Sequence, residues 1–344
     1  MKFSILTPVY NVQAFLPGCL DAVMAQTYRD FELILVDDGS TDDSGRICDE
    51  YSEKYPDHIR VIHKENQGLI SARRVGIAEA KGDFCVFLDS DDSVEPTWLE
   101  TVAEYLQKDS EIDILLYSYR YLRNGVPAER FTPVAEDGRS WTGEKKKDLY
   151  EMLLTSNRIT SIWTKAIRTT MLQGDPTDYT VYYGKNMAED LLQDLYPLTA
   201  ASKIVYADQP LYLYRINDDS VSRSFRPATI PSKQTVHVYN KILDYLPQWG
   251  MDDAETRGRL AGRWLNDTMY TFCRYYEGAA TKADRKAILA FDWNTFLPEE
   301  ARTAAYGNPT YRELYTWWSE KQYGKIKRFF LRRKIKKWKK QIRS

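Results

Sequence analysis

The first hundred residues are built around short, wholly apolar runs, and this pattern restricts the fold more than any other property of the chain. Residues 3–7, 31–36, 59–62 and 84–88 read as strands. The stretches between them have helical spacing. Pro17 stands near the first turn of one helix, whose apolar face includes Leu20, Val23 and Met24; Pro56 stops a second, and Gly82 closes a third over 69–80. Strands without a polar face must be covered on both sides. Strands alternating with helices therefore predict an α/β fold, a mostly parallel sheet with helices on both faces. Asp37-Asp38-Gly39-Ser40-Thr41-Asp42 reads as a turn whose Ser or Thr caps the helix that follows.

Such sheets bind ligands at the carboxyl ends of their strands. The residues expected there are Thr7-Pro8-Val9-Tyr10-Asn11, Asp37-Asp38 and Asp89-Ser90-Asp91. In extended chain, alternate side chains share a face, so Asp89 and Asp91 are expected to point the same way. Two neighbouring carboxylates repel unless a positive charge lies between them. A hard divalent cation carrying a diphosphate meets that need. No GxGxxG follows the first strand and no Walker A sequence is present. This disfavours a nicotinamide-dependent dehydrogenase and leaves metal-bound aspartates as the simplest neutraliser of a nucleotide diphosphate.

The 344 residues allow two or three domains. With 43% hydrophobic and 28% charged residues, the chain has the composition of a soluble globular protein. No apolar run approaches the roughly 20 residues of a membrane span. A strand entered by Phe3 leaves no room for a signal peptide. Cys19, Cys48, Cys85 and Cys273 are isolated, with no histidine nearby, and read as buried thiols in a reducing cytoplasm. The organisation expected is an α/β half over 1–105, a second half of the same domain over 106–225, a helical region over 226–320 and a basic tail over 321–344. Residues 112–119 read as a strand and 124–143 as a polar loop.

The tail holds 12 Lys and Arg and no Asp or Glu, leaving 36 basic against 49 acidic residues in the rest. On a helix, Leu331, Ile335, Trp338 and Ile342 fall in one stripe and basic residues fill the remaining circumference. Phe329 and Phe330 lie off that stripe. An amphipathic helix of this kind suits the headgroup region of an anionic membrane. The acidic body argues against nucleic acid as the partner.

The motifs above, with Gln26-Thr27-Tyr28, residues 31–42, residues 68–76 and Phe87-Leu88-Asp89-Ser90-Asp91-Asp92, resemble the inverting family 2 glycosyltransferases of the GT-A fold. The likeness is to bacterial polysaccharide enzymes in particular. Ala188-Glu189-Asp190-Leu191-Leu192 resembles the family's catalytic carboxylate motif, and residues 214–222 its phosphate-binding segment. Arg74, Gln67 and the Thr164 of Trp163-Thr164-Lys165 stand where the family more often has Asn, Gly and Asn.

The resemblance implies a role for each matching residue. Thr7 and Asp38 would hold the uracil base, with Tyr10 packed against it, and Arg73 would reach the nucleotide. Asp89 would lie near ribose and metal, and Asp91 would ligate the Mn²⁺ or Mg²⁺. Arg215, Ser220 and Ser222 would clamp the diphosphate, and Asp190 would be the general base. The activity implied is transfer from a UDP-sugar to a glycan or lipid-linked saccharide in cell-surface polysaccharide synthesis, at the inner face of the cell membrane. The alternative is a catalytically inactive nucleotide- or carbohydrate-binding subunit of a glycan-assembly complex.

Overall fold

The computed structural model describes residues 1–123, 125–185, 188–216, 235–303 and 305–343, with side chains to Lys334. They fall into two compact units, one within 1–218 and the other within 219–344, the latter also taking 154–156.

The first unit is organised on one sheet of ten strands. In chain order these are β1 (Phe3–Val9), β2 (Phe31–Asp37), β3 (Ile59–His63), β4 (Phe84–Phe87), β5 (Ser93–Val94), β6 (Ile114–Arg123), β7 (Val126–Arg130), β8 (Ser140–Thr142), β9 (Lys165–Arg168) and β10 (Lys203–Arg215). The spatial order is β3-β2-β1-β4-β9-β6-β10-β5, with β7 added to β6 and β8 to β10. β3, β2, β1 and β4 run parallel, as do β6 and β10. β9 lies antiparallel between β4 and β6 and joins the two parallel sets. Of the apolar runs that predicted strands, those of β1 and β4 are buried completely and that of β2 nearly so, while in the edge strand β3 only Ile59 is buried. The fold is the predicted α/β class.

Three local expectations are corrected. The helix Ser44–Lys54 begins at Asp43 without a side-chain cap. Its candidate hydroxyls are committed elsewhere: Ser40 Oγ accepts from the Asn11 N–H, and Thr41 Oγ1 donates to Asn11 Oδ1 at 3.3 Å. Ser44 Oγ accepts from the Val12 N–H at 2.8 Å. Asn11, left-handed at φ 49°, returns the favour by accepting from the Thr41 N–H at 2.7 Å. The loops after β1 and β2 are thereby stitched together. The segment 124–143 is not simply a loop, because it contains β7 and β8. Strand β6 also runs further than 112–119.

The third correction concerns Gly82. The helix Leu69–Glu79 ends before it, so Gly82 is not its stop. Its N–H donates to the buried Ser4 Oγ at 2.8 Å. A Cβ there would lie 2.6 Å from the Phe3 carbonyl carbon and Ser4 nitrogen. The close approach of two backbones demands glycine.

In the second unit, helices span Val236–Tyr245, Ala254–Gly278, Lys282–Ala290, Glu299–Thr303, Pro309–Ser319 and Tyr323–Arg343. The expected helical character of this region is found. The basic tail is not wholly separate from it. Ile326 is fully buried and Phe330 nearly so, with Phe330 stacked on Tyr276 at 4.4 Å. Among the described residues, no helix is long and apolar enough to cross a membrane.

Gly82→Ala is expected to lower stability by about 1–3 kcal/mol, the usual cost of forcing an extra carbon into packed structure. Gly18→Ala, a helical position with nothing within 4 Å of the new methyl, is expected to be neutral or stabilising. Urea midpoints of the two variants moving together would refute the packing argument.

Candidate functional site

The carboxyl ends of β1, β2 and β4 lie side by side, because β1 pairs in parallel register with both neighbours. Thr7 is buried near the end of β1, and its Oγ1 has no hydrogen-bond partner among the described residues. Tyr10, three residues on, is 51% exposed. An orphaned hydroxyl and an open aromatic face stand where the base was expected.

Asp38 follows β2 and is 3% exposed. Its Oδ1 accepts from Lys64 Nζ and the Gln67 N–H, and its Oδ2 from the Gly68 N–H at 2.8 Å. These bonds hold the first turn of the helix Leu69–Glu79, which starts from Gly68 at φ 93°. Asp37 is fixed as firmly: the Ser40 N–H and His63 Nδ1 hydrogen-bond to it, and Asp37 raises the His63 pKa in return.

Arg73 lies one turn into that helix with 1% of its side chain exposed. Its Nη1 donates to Asp190 Oδ1 at 2.5 Å and its Nη2 to Asp89 Oδ1 at 3.0 Å. Burial opposes the charge of Arg73, but Asp190 and Asp89 outweigh it and raise the pKa. Both terminal nitrogens are thus directed at carboxylates, while Nε is buried without a partner. Asp190 sits in the first turn of the helix Glu189–Ala200, entered through Ala188 in the left-handed region at φ 58°.

The alternation expected of Asp89 and Asp91 does not hold, because the strand ends at Phe87. The Asp92 N–H donates to the Asp89 carbonyl at 3.0 Å and closes a turn. Asp92 is turned inward and was missed as a site residue. Tyr212 Oη donates to its Oδ2 at 2.7 Å and the Arg215 N–H to its Oδ1 at 2.6 Å. The Asp89 N–H donates to the same Tyr212 hydroxyl at 3.1 Å, so strand β10 fixes the whole turn. Arg215 Nε donates to the Asp91 carbonyl at 2.8 Å. Its guanidinium lies 5.4 Å from the Phe15 ring centroid. Ser220 and Ser222 fall outside the described residues.

The region is short of positive charge. Burial, then Asp190 and Asp91, push the Asp89 carboxyl up to about 6 against the pull of Arg73. Burial and Asp190 carry Glu189 up to about 7. Burial also raises Asp91 and Asp92. Apart from its own backbone N–H, the Asp91 carboxylate takes no hydrogen-bond donor among the described residues. No cluster of three or more His, Cys, Asp or Glu among the described residues is arranged to hold a metal alone. An unpartnered carboxylate in an acidic pocket fits a Mg²⁺ or Mn²⁺ that takes one or two protein oxygens and completes its shell with phosphate and water.

One departure from the resembling family, Arg74, finds structural partners. Arg74 stacks 4.8 Å over the Tyr179 ring and lies 3.9 Å from Asp175. Lys165 and Asp194 form a fully buried ion pair at 2.8 Å, which sequence reading also missed. Lys165 Nζ donates as well to the carbonyls of Ile159 and Ser161. The pair ties the helix that carries Asp190 to the segment that carries Trp163, whose ring stacks on Tyr212 at 4.4 Å. Asp194 stands four residues after Asp190, a helical spacing that could have flagged it.

Comparison with known proteins bears on the fold. The model of glycosyl transferase family 2 matches residues 4–168, just under half of the chain. The chain is 34% identical over 230 residues to the glycosyltransferase GlyA of Streptococcus pneumoniae, covering 64% of this chain and 32% of GlyA. It is 30% identical over 226 residues to the uncharacterized glycosyltransferase EpsJ of Bacillus subtilis, covering 65% and 64%. The chain thus spans only about a third of GlyA's length. The crystal structure of S. aureus TarS 1-349 in complex with UDP-GlcNAc matches with a TM-score of 0.63 at 22% identity, covering 93% of this chain and 88% of that one. That likeness establishes the GT-A fold.

Lys165→Met is expected to cost about 3–5 kcal/mol, because it leaves Asp194 charged and unpaired in the interior. Adding Asp194→Leu should recover most of the loss. Equal urea midpoints for the single variant and the wild type would show that the pair contributes nothing to the fold.

Proposed function

We propose that this chain is an inverting glycosyltransferase that moves a sugar from a UDP-sugar to a glycan or lipid-linked saccharide acceptor in cell-surface polysaccharide synthesis. The observation that carries this is the convergence of Asp89 and Asp190, from opposite ends of the domain sequence, on the buried Arg73. One carboxylate belongs to the diphosphate side of the reaction and the other to the acceptor side.

In this reading, Thr7 Oγ1 supplies its unused hydrogen-bonding capacity to the uracil base. Asp38 Oδ2, which takes one donor from the loop, accepts from a base N–H. The exposed Tyr10 ring covers the base face. Asp91, with Asp89 beside it, would hold the divalent cation, which when bound supplies positive charge against the leaving diphosphate. Arg215 has Nη donors to offer the same phosphates, with Ser220 and Ser222 from the adjoining segment. Asp190 accepts the proton of the acceptor hydroxyl as its oxygen bonds to the anomeric carbon. The bond from that carbon to the phosphate oxygen breaks, and its electron pair leaves with UDP. One displacement inverts the anomeric configuration. Arg73 keeps Asp190 oriented without itself reaching the reacting atoms.

Assayed with a panel of UDP-sugars, Asp190→Asn should keep UDP affinity but lower turnover by about 10²-fold or more. Asp91→Asn should lose both turnover and metal-dependent UDP binding. The product linkage, read by NMR, should be opposite to the donor's. UDP affinity falling as far as turnover in Asp190→Asn would make that residue a binding group rather than the base.

The same proposal places the enzyme on the inner face of the cell membrane, held by the helix Tyr323–Arg343. Support comes from Leu331, the first residue of the predicted apolar stripe, which is 57% exposed. Each basic residue at an anionic leaflet is worth about 1 kcal/mol. Full-length protein should therefore co-sediment with vesicles containing phosphatidylglycerol, less so at high salt. Trp338→Glu with Ile342→Glu should abolish this, and unchanged sedimentation would show that the stripe is not the anchor.

A further inference from the structure

The helical unit has an open cavity of about 440 Å³ that plays no part in the transferase chemistry. Helix Ala254–Gly278 contributes Tyr276 and Glu277, helix Lys282–Ala290 contributes Arg285, and helix Tyr323–Arg343 contributes Lys327, Phe330, Leu331 and Lys334. The size lies within the roughly 300–1,000 Å³ of small-molecule sites.

Its lining is divided by chemistry. Tyr276 and Phe330, stacked at 4.4 Å, make an apolar floor that Leu331 extends to the outside. Lys327, Lys334 and Arg285 are exposed around it. The one carboxylate of the lining, Glu277, is held by Arg333 at 3.1 Å, outside the cavity lining. Lys327, Lys334 and Arg285 have no carboxylate partner among the described residues. Arg285 spends one nitrogen on the Ala279 carbonyl at 3.0 Å and keeps its charge uncompensated. Three unpaired cations around an apolar floor are complementary to an anion attached to a hydrocarbon.

The position on the helix also matters. At 100° per residue, Leu331 lies about 140° around the axis from the buried Ile326. Lys327 and Lys334 fall between these two directions. The groove therefore begins at the packed face of the helix and opens towards Leu331, which is 57% exposed.

We propose that this groove binds a single anionic glycerophospholipid. Its phosphate sits among Lys327, Lys334 and Arg285, and the upper part of an acyl chain lies along Tyr276, Phe330 and Leu331. A bare phosphate leaves the floor empty, and an acidic peptide offers no chain to fill it. This deepens the membrane-anchoring part of the proposed function by adding a lipid-specific contact to a general electrostatic one.

The test titrates full-length protein with dihexanoyl-phosphatidylglycerol kept below its micelle concentration, followed by calorimetry. Dihexanoyl-phosphatidylcholine and inorganic phosphate serve as controls. Saturable binding at one lipid per chain is expected for phosphatidylglycerol, at least tenfold tighter than for either control. Lys327→Ala with Lys334→Ala, and separately Leu331→Asp, each change exposed side chains and should weaken it at least tenfold. Wild-type affinity in the double lysine variant would overturn the proposal. So would no saturable binding, or inorganic phosphate binding as tightly as the lipid. A monomeric lipid needs no bilayer, so the two readings fail separately. Vesicle sedimentation without monomer binding removes the groove and leaves the anchoring stripe. Monomer binding without sedimentation does the reverse.

Discussion

The buried guanidinium of Arg73 is the interaction on which the site depends. Taking an arginine out of water costs several kcal/mol, and only well-placed carboxylates offset it. Here there are two, Asp89 and Asp190, each at hydrogen-bond distance. They reach the arginine from a strand exit and a helix start more than a hundred residues apart. The position of Arg73 rests in turn on Asp38, whose carboxylate fastens the backbone at Gln67 and Gly68 and so sets where the helix begins. A residue expected to recognise the base thus also sets the register of the residue that joins Asp89 to Asp190. The site is a chain of dependencies from β2 to the helix Glu189–Ala200.

The arrangement leaves more negative than positive charge. Asp89, Asp91, Asp92, Glu189 and Asp190 gather near Arg73 and Arg215, and most of these carboxyls are raised by burial and by one another. In the proposed reading a divalent cation would offset the aspartates, and the diphosphate would offset the cation. That reading separates two functions. Asp92, bonded to Tyr212 and Arg215, uses its charge to shape the turn; Asp91, whose carboxylate takes no side-chain donor among the described residues, would use its charge on a ligand.

The parts of this molecule legible in the sequence were those determined locally. Apolar runs at 3–7, 31–36 and 84–88 could only be buried strands, and the polar residues after them could only emerge at a sheet edge. The α/β class and the neighbourhood of Thr7, Tyr10, Asp38 and Asp89 follow from that. What was not legible depends on long-range partners. The orientation of Asp89 and Asp91 was read from strand alternation, but Tyr212 and Arg215, over a hundred residues away, draw Asp92 inward and bend the chain into a turn. The hydroxyls of Ser40 and Thr41 read as candidate helix caps, yet Asn11 in the loop after β1 engages both. Lys165 and Asp194 each look like ordinary charged residues, and only their complete burial together reveals the pair.

Charge distribution shows why net charge is a poor guide to the proposed membrane association. The whole chain carries a net charge of −1, with 12 of its 48 Lys and Arg in the last 24 residues. At physiological ionic strength, exposed charges act over a screening length of about 8 Å. A leaflet touching the helix Tyr323–Arg343 would respond to that helix and to little beyond it. The acidic remainder would neither cancel the attraction nor need to be neutralised. Within the helix the residues are further divided: Ile326 and Phe330 serve the interior of the unit, while Leu331 remains outside. A helix that served only to complete the fold would gain nothing from a second apolar stripe about 140° from the first. In the proposed reading the second stripe would meet the apolar part of a membrane.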